Sequence, residues 1–298
     1  MIQNTVSIQL DKHQTCNVEK ILTSFGWYKE DINNPYAVIR MKSPEGSVAI
    51  LYSSNKLVFQ GVEDYTQVIS ALKSSDEKEI EIVPHIGVDE VGKGDYFGPL
   101  VVVGCFLDKE LYKKASSIGV GDSKRFSDNR IIQMYDLLKD YPYYYVSIVT
   151  PSDYNDIYSK VKNVSILLAR EHARVIEMGL KNLKSKNIEC NTVVIDQFST
   201  KKSRVLNELG ELGKKVDFQQ YHKGESDMGV AVASVLARGI FIQEMDDLSK
   251  KYKFNFPKGA SDVIDRAQEF VRKNSVEELS KVAKISFKTT AKVLQTRI

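Results

Sequence analysis

The sequence predicts an α/β protein that begins with a small α+β unit. Two patterns along the 298 residues support this prediction. Up to about residue 72, short strand-like runs and two helical stretches follow one another, whereas from residue 86 onward apolar strands alternate with long helices. A polar, charged segment at 74–79 has no periodicity and predicts a linker between the two units.

The first unit is predicted to be a meander of strands covered on one side by two helices. Ala37, Ile39 and Met41 share one face of their strand, because side chains alternate along a strand. Four aromatic residues are predicted to be either core or base-facing: Trp27, Tyr28, Tyr52 and Phe59. The predicted elements are strands at 6–10, 37–42, 47–52 and 57–60 and helices at 18–25 and 64–72.

The second unit is predicted to hold four strands and several long helices. The run at 192–195 is apolar throughout, which is typical of a strand buried on both faces. Ser127 and Ser165 are predicted to cap the helices that follow them. The predicted elements are strands at 86–91, 100–107, 143–149 and 192–195 and helices at 128–138, 165–184, 201–212 and 228–250, with more helices near the C-terminus.

The composition is that of a soluble globular protein, with 42% hydrophobic and 27% charged residues. No run of about 20 apolar residues and no secretory signal is visible, so we expect a cytoplasmic protein that does not engage a membrane. Three widely spaced cysteines, Cys16, Cys105 and Cys190, argue against a disulfide framework or a zinc site. Nothing in the sequence demands more than a monomer.

Charge is unevenly distributed although the net charge is only +3. Residues 250–298 hold twelve basic and five acidic residues. This suits a protein that binds a polyanion, but a solvated basic surface explains it equally well. Four lysines in this region would share one face if a single helix ran through them, although Phe287 and the Thr289-Thr290 pair could break that helix. They are Lys281, Lys284, Lys288 and Lys292.

The most informative stretch is an apolar strand that ends in two acids, Asp89 and Glu90, followed by Gly92, Lys93 and Gly94. These acids either face water at a strand end or belong to a site. Adjacent strand residues point to opposite faces, so both acids can serve one site only where the strand ends or bulges. The two glycines make such a break plausible and allow close approach of a ligand.

Two further acids follow in the second unit. Asp196 ends the apolar strand at 192–195, where ligands of open α/β sheets bind, although it could instead cap the next helix. Before the helix at 228–250, Asp227 or Ser226 is predicted to be the N-cap, which leaves Glu225 as the freer carboxylate.

Carboxylates without histidine or cysteine companions favour Mg²⁺ or Mn²⁺ over zinc. Two such ions can activate water and stabilise the charge of a phosphate, which is the chemistry of phosphodiester hydrolysis. A serine hydrolase is disfavoured because G-x-S-x-G is absent, and the phosphate-binding loop G-x-x-x-x-G-K-[ST] is absent as well.

Five segments together resemble the type 2 ribonucleases H, closely over about 85–265. They are 87–99 with its Gly-Lys-Gly, Asp122-Ser123-Lys124, Asp196, the His-Lys-Gly-Glu at 222–225, and 233–238. The resemblance implies a ribonuclease H-like mixed sheet flanked by helices. Three features are similar to the bacterial ribonuclease HIII branch: the first unit, similar to a TATA-binding-protein-like domain; Glu225 in place of Asp; and Gly259-Ala260-Ser261 in place of a Gly-Tyr pair.

The resemblance also implies roles for individual residues. The implied catalytic and metal-holding residues are Asp89, Glu90, Asp196 and Glu225, with two Mg²⁺ or Mn²⁺ ions as cofactors. The implied substrate-binding residues are Gly92, Lys93 and Gly94, beside the ribose 2′-hydroxyls, and Ser123 and Lys124, beside phosphates. Lys124 could also be an ordinary surface lysine.

The sequence thus predicts a metal-dependent endonuclease that cuts the RNA strand of RNA/DNA hybrids and leaves 3′-hydroxyl and 5′-phosphate ends. The expected domains are a substrate-binding domain at 1–72, a linker at 73–84 and a catalytic domain at 85–298. Two alternatives stay open: a resolvase-like nuclease of the same fold, and a catalytically inert nucleic-acid-binding protein.

Overall fold

A computed structural model describes residues 4–32, 34–74, 82–196, 203–221, 224–260 and 263–295. The chain divides into two units, 1–81 and 82–298. Most of the segment that the sequence predicts as linker, 75–81, lies outside the described residues.

The first unit contains one five-stranded antiparallel sheet and two helices. Its elements are β1 (Asn4–Gln9), α1 (Lys12–Ser24), β2 (Tyr28–Lys29), β3 (Ala37–Lys42), β4 (Val48–Tyr52), β5 (Lys56–Gly61) and α2 (Thr66–Ser74). The strand order is β1-β5-β4-β3-β2. The predicted meander of β3, β4 and β5 is therefore present, and α2 continues to Ser74, two residues past the predicted domain boundary.

Both helices pack on the same face of this sheet. Leu22 of α1, Leu72 of α2 and Phe59 of β5 are all fully buried in one core. Of the aromatic residues left open by the sequence, Trp27 and Phe59 are core, whereas Tyr52 is half-buried and Tyr28 is exposed. The opposite face of the sheet carries half-buried Ile50 and Val58, which are paired across β4 and β5.

The second unit is built on a mixed sheet, as predicted, but the sheet has five strands and not the four expected, because the strand Asp217–Tyr221 was not predicted. Its strands are β6 (His85–Val91), β7 (Leu100–Leu107), β8 (Tyr144–Val149), β9 (Thr192–Asp196) and β10 (Asp217–Tyr221). The order is β10-β9-β6-β7-β8, in which β9 runs parallel to both of its neighbours and the other pairs are antiparallel.

Nine α-helices are present in the described part of this unit. They are α3 (Lys109–Ser117), α4 (Asp128–Leu138), α5 (Pro151–Val161), α6 (Val164–Ser185), α7 (Ser203–Glu208), α8 (Met228–Tyr252), α9 (Ile264–Lys273), α10 (Val276–Val282) and α11 (Lys288–Gln295). Alternating side chains of β7 separate two cores: Val101 and Val103 pack with α8, whereas Val102 packs with α6. The sheet is therefore covered on both faces.

Helix α8 packs on the strands that carry the predicted site. A Cβ atom on Gly87 of β6 would lie only 2.1 Å from the backbone carbon of Gly229, so the strand and the helix approach backbone to backbone. Within the described residues, α8 is the one helix whose length and apolar composition would suit a membrane span, and 72% of its most apolar window is buried inside the protein. It is a core helix.

Three sequence expectations need correction. The helix expected to begin after Ser165 is capped by Asn163, whose side chain accepts a hydrogen bond from Ser165 N, whereas the Ser127 cap of α4 is confirmed. Helix α7 ends at Glu208, short of the predicted residue 212. The four C-terminal lysines do not share one helix, since α10 and α11 are separate and Lys284, between them, is fully buried.

Candidate active site

Strand β6 breaks where the predicted site requires it to break. The strand ends at Val91, and Gly92 follows with a positive φ of 95°. A Cβ atom at this position would lie 2.2 Å from the carbonyl oxygen of Pro99. Only glycine therefore fits this turn. The break brings the last acids of the strand, Asp89 and Glu90, to the rim of a pocket.

The Asp89 carboxylate lies where its negative charge is unfavourable. It accepts a 2.8 Å hydrogen bond from Glu90 N and another hydrogen bond from the Ser234 hydroxyl of α8. Burial, together with the negative charges of Glu90 and Asp196, raises the pKa of Asp89 to about 7. A cation in the pocket would relieve this repulsion.

Asp196 lies at the end of β9, next to β6. The parallel register pairs Val88 with Ile195, which places Asp89 and Asp196 side by side one residue further on. Asp196 Oδ1 accepts a 2.8 Å hydrogen bond from Gly224 N. Residues 197–202 lie outside the described part, so the alternative that Asp196 caps the next helix stays open.

The structure separates the acids that precede α8. Asp227 caps the helix by accepting a hydrogen bond from Val230 N at 2.9 Å, and it also lies 3.0 Å from His85 Nε2. The Asp227 carboxylate therefore has a structural role. It is one of the two N-caps that the sequence predicted for α8, the other being Ser226. Glu225 belongs to the 3₁₀ turn Gly224–Ser226, but its side chain lies outside what the structure describes.

Eight of the nine predicted site residues line a single pocket, and the side chain of the ninth, Glu225, lies outside what the structure describes. The pocket is lined by Asp89, Glu90, Val91, Gly92, Lys93, Gly94, Ser123, Lys124, Asp196, Ser234 and Arg238. The ammonium group of Lys93 lies 3.8 Å from Glu90 Oε1 and is partly exposed. The pocket thus combines carboxylates, a lysine pair and a glycine turn.

The turn that carries Ser123 and Lys124 is held from both sides. Asp122 accepts a hydrogen bond from Lys124 N at 3.0 Å, and the hydroxyls of Ser123 and Ser234 lie 2.7 Å apart. Arg238 donates to the carbonyl oxygen of Ser123. Its other nitrogen donates to Asp128 at 3.0 Å. These bonds fix the direction in which the Lys124 backbone leaves the turn.

Sequence reasoning assigned no site role to Ser234 and Arg238, which line this pocket, or to His172, which contacts Glu90. Ser234 and Arg238 lie one helical turn apart on α8, and their polar side chains in the otherwise apolar first half of this helix were the available signal. His172 of α6 is fully buried with Nε2 3.1 Å from Glu90 Oε2, and nothing in the sequence pointed to it.

The described carboxylates suit a hard cation but do not form a complete ligand set by themselves. In the described part of the chain, no three or more His, Cys, Asp or Glu side chains form a group that could hold a metal ion. Asp89, Glu90 and Asp196 nevertheless line the same pocket, without cysteine. Their oxygen donors and the raised pKa of Asp89 fit Mg²⁺ or Mn²⁺.

Comparison with known proteins gives the family. The family profile described as Ribonuclease HII matches residues 86–290. Ribonuclease HIII of Protochlamydia amoebophila is 36% identical over 286 residues, which cover 93% of each chain. The chain belongs to the ribonuclease HIII family. The protein is therefore a ribonuclease H, an endonuclease.

Two ribonucleases HIII match nearly the whole chain, and one RNase HII matches about two thirds of it. Ribonuclease HIII of Streptococcus agalactiae is 32% identical and covers 97% of this chain and 98% of its own. The crystal structure of Bst-RNase HIII in complex with Mn²⁺ is similar with a TM-score of 0.66 and 26% identity, over 98% of both chains. The RNase HII of the PCNA:RNase HII complex from Archaeoglobus fulgidus matches with a TM-score of 0.54 and 26% identity, over 67% of this chain and 94% of its own.

Proposed function

We propose that this protein hydrolyses the RNA strand of RNA/DNA hybrids at the pocket lined by Asp89, Glu90 and Asp196, and leaves 3′-hydroxyl and 5′-phosphate ends. One observation carries the proposal: carboxylates from two adjacent strands share a pocket with the Gly-Lys-Gly turn at 92–94. The acids alone are compatible with many nucleases. The glycine turn in addition favours a nuclease whose backbone contacts the ribose of its substrate.

Asp89, Glu90, Asp196 and Glu225 would hold two Mg²⁺ or Mn²⁺ ions. When bound, these ions would supply charge neutralisation at the phosphate and a water with a lowered pKa. The Mn²⁺ complex of Bst-RNase HIII supports a divalent cofactor in this family. Without a cation, burial and the charges of the neighbouring acids disfavour the ionised form of Asp89 and raise its pKa.

The other pocket residues would bind and orient the hybrid. A Cβ atom on Gly94 would meet nothing within 4 Å, so the backbone at this position is open to a ligand. Backbone groups of 92–94 would contact the ribose 2′-hydroxyls, by which a protein distinguishes RNA from DNA. Lys93, Ser123 and Lys124 would contact the phosphates on either side.

We further propose that the first unit, expected at 1–72, is a substrate-binding domain joined to the catalytic domain at 85–298 by the linker at 73–84. The helix-free face of its sheet is suitable, since Arg40, Ile50 and Val58 form a row across β3, β4 and β5. Tyr52 lies on the same face and is half-buried. A face with basic, apolar and aromatic side chains can contact phosphates and sugars together.

The proposal is tested with Asp89→Asn and Asp196→Asn. Each substitution replaces a negatively charged carboxylate by a neutral amide of nearly the same size. Cleavage of a labelled RNA/DNA hybrid in Mg²⁺ or Mn²⁺ should be abolished, while binding of the hybrid to the variants in Ca²⁺ or chelator persists. Asp247→Asn, at an exposed position of α8, is the matched control and should cleave normally.

Three outcomes would contradict the proposal. Full activity of either variant would remove the pocket from the chemistry. Cleavage of a DNA duplex in preference to the hybrid would favour a resolvase-like nuclease. Binding of the hybrid without cleavage by the unaltered protein, in either metal, would favour an inert nucleic-acid-binding protein.

A further inference from the structure

His172 is a buried polar residue in an apolar layer. It lies in the middle of α6, the helix that packs against β6 and β7, and its ring is fully buried. Neighbouring positions on the same helix, Leu168, Ala173 and Ile176, belong to the apolar core. A polar ring in such surroundings is costly unless its nitrogens are hydrogen-bonded, so its partner defines what the residue does.

One such partner is a carboxylate of the proposed site. Nε2 of His172 lies 3.1 Å from Oε2 of Glu90, whose side chain is only 10% exposed. Because an ionised carboxylate can only accept, the Nε2–H donates to it. The other carboxylate oxygen, Oε1, lies 3.8 Å from Nζ of Lys93 at the pocket. The two contacts involve different oxygens of the carboxylate, and the one from His172 has the length of a hydrogen bond.

The two adjacent acids of β6 are supported from opposite faces of the sheet. Asp89 pairs with Val103, which packs with α8, and the Ser234 hydroxyl of α8 donates to it. Glu90 pairs with Val102, which packs with α6, and His172 of α6 donates to it. Each helix therefore supplies one hydrogen-bond donor to the acid on its own face.

We propose that His172 is a positioning residue, which holds the Glu90 carboxylate in the orientation that a divalent cation requires. This inference rests on the function proposed above and adds a residue to the same site. Hydrogen-bond partners behind a metal ligand fix its orientation, and their loss typically lowers metal affinity about 10- to 100-fold. A residue that only fills space would have no such effect when replaced by another of similar size.

The test replaces His172 by Gln or by Asn, two amide side chains of different length. The side-chain nitrogen of Gln can occupy the place of Nε2 of His172, whereas that of Asn reaches only the place of Nδ1. We expect His172→Gln to keep Mn²⁺ affinity within about threefold and His172→Asn to lose at least about tenfold. Affinity is measured by calorimetric titration of the full-length protein with MnCl₂ alone, so the readout needs neither substrate nor turnover.

A coupled variant excludes a general packing defect. Adding His172→Asn to Glu90→Gln should change Mn²⁺ affinity little beyond the loss caused by Glu90→Gln alone, since the group to be positioned has already been altered. Thermal melting of every variant reports folding. In cleavage assays, His172→Asn should lower kcat and leave KM for the hybrid unchanged.

The outcomes separate this inference from the proposed function. Equal Mn²⁺ affinity of the unaltered protein and folded His172→Asn would overturn the positioning role, as would an equal loss in the Gln and Asn variants. If His172→Asn does not fold, a loss of affinity in His172→Gln as large as in Glu90→Gln would overturn it. The proposed function stands or falls separately, by cleavage in the unaltered protein and its loss in Asp196→Asn.

Discussion

Asp89 is proposed to be a catalytic residue, and its position in the folded protein should cost stability. Its carboxylate is buried near two other acids, and its pKa is raised to about 7 as a result. At pH 8 the carboxyl group of Asp89 is ionised in the folded protein, although burial and the neighbouring acids destabilise this ionised form. Stability and the proposed catalytic role therefore make opposite demands on this side chain.

We predict that Asp89→Asn stabilises the metal-free protein while it abolishes cleavage. The amide keeps the size of the side chain and removes the charge repulsion, which should raise the free energy of unfolding by about 1 kcal/mol and Tm by about 2–4 °C at pH 8. Thermal melting in chelator measures the shift, with Asp247→Asn as the control. Added Mg²⁺ should reduce the difference, and a lower Tm of the variant in chelator would contradict the prediction.

Lys284 is a second residue with a shifted titration, far from the carboxylates in sequence. It is fully buried, and its Nζ donates to the carbonyl oxygens of Asp95 at 2.9 Å and Gly98 at 2.6 Å. Burial lowers the pKa of Lys284 from 10.5 to about 7. The lysine therefore fastens the segment that follows the Gly-Lys-Gly turn.

This lysine should make stability depend on pH. Between pH 7 and about 10.5 the unfolded chain holds a proton on Lys284 that the folded protein has released, so raising the pH favours the folded state. Its contribution to the free energy of unfolding should rise by up to about 1.4 kcal/mol per pH unit above pH 7. Below pH 7 the lysine is charged in both states and adds no slope.

The measurement compares urea unfolding of the unaltered protein and Lys284→Met from pH 6 to pH 9.5. The difference between the two free energies should be flat at the acid end and should grow in favour of the unaltered protein above pH 7. A difference that stays constant over the whole range would show that the buried lysine titrates normally.

At the residue scale, the sequence allowed the acids to be predicted but not their partners. Asp89, Glu90 and Asp196 end apolar strands, and that local pattern is visible in the chain. His172 and Ser234 act through contacts with residues 82 and 145 positions away, and no local pattern encodes such distances. Lys284 was misplaced for the same reason, because spacing alone assigned it to an exposed helix face.

At the element scale, two glycine substitutions should have different effects: one at the close approach of β6 and α8 should impair folding, and one in the pocket should not. Gly87→Ala would place a methyl group 2.1 Å from the backbone of Gly229, where neither main chain can move aside. We expect a loss of about 3 kcal/mol or failure to fold. Gly94→Ala meets nothing within 4 Å and should fold normally.

The Gly87→Ala and Gly94→Ala variants also test whether the pocket contacts the ribose. Because the added methyl group at Gly94 would point into the space proposed for the ribose, Gly94→Ala should lower kcat/KM on the hybrid at least about tenfold, which corresponds to about 1.4 kcal/mol. Thermal melting and cleavage assays on the two variants give both readouts. Normal cleavage by Gly94→Ala would argue against a ribose contact at this turn.

Elements with a strong apolar pattern were predicted well, and those without one were missed. Strand β10 has only one buried hydrophobic residue, Phe218, so its pattern is weak. Helix α5 begins with Pro151 and contains several tyrosines and aspartates, which gave no clear apolar face. Helix α7 was predicted too long because its apolar period continues past Glu208 into a segment interrupted by Gly210 and Gly213.

At the scale of the whole molecule, the first unit is predicted to control affinity for the hybrid and not the rate of the chemical step. Replacing Ile50 and Val58 together by Glu would place two negative charges on the helix-free face of its sheet. KM for the hybrid should rise about tenfold through repulsion of phosphates, with kcat within about twofold.

The matched control places the same two charges elsewhere. Ile148 and Met178 are exposed apolar residues of the second unit, and their replacement by Glu should leave KM unchanged. Steady-state cleavage at several salt concentrations completes the comparison, since the effect of charges near the substrate shrinks as salt rises. An unchanged KM in the Ile50 and Val58 variant would remove this face from hybrid binding.

The pocket is assembled from residues that are far apart in the order of synthesis. Its lining begins at Asp89 and ends at Arg238, and β9 takes its place between β6 and β10 only after residue 221 has been made. A chain still attached to the ribosome therefore lacks one wall of the pocket until helix α8 has left the exit tunnel. If this pocket is the active site proposed above, we expect the nascent chain to lack cleavage activity until helix α8 has been translated.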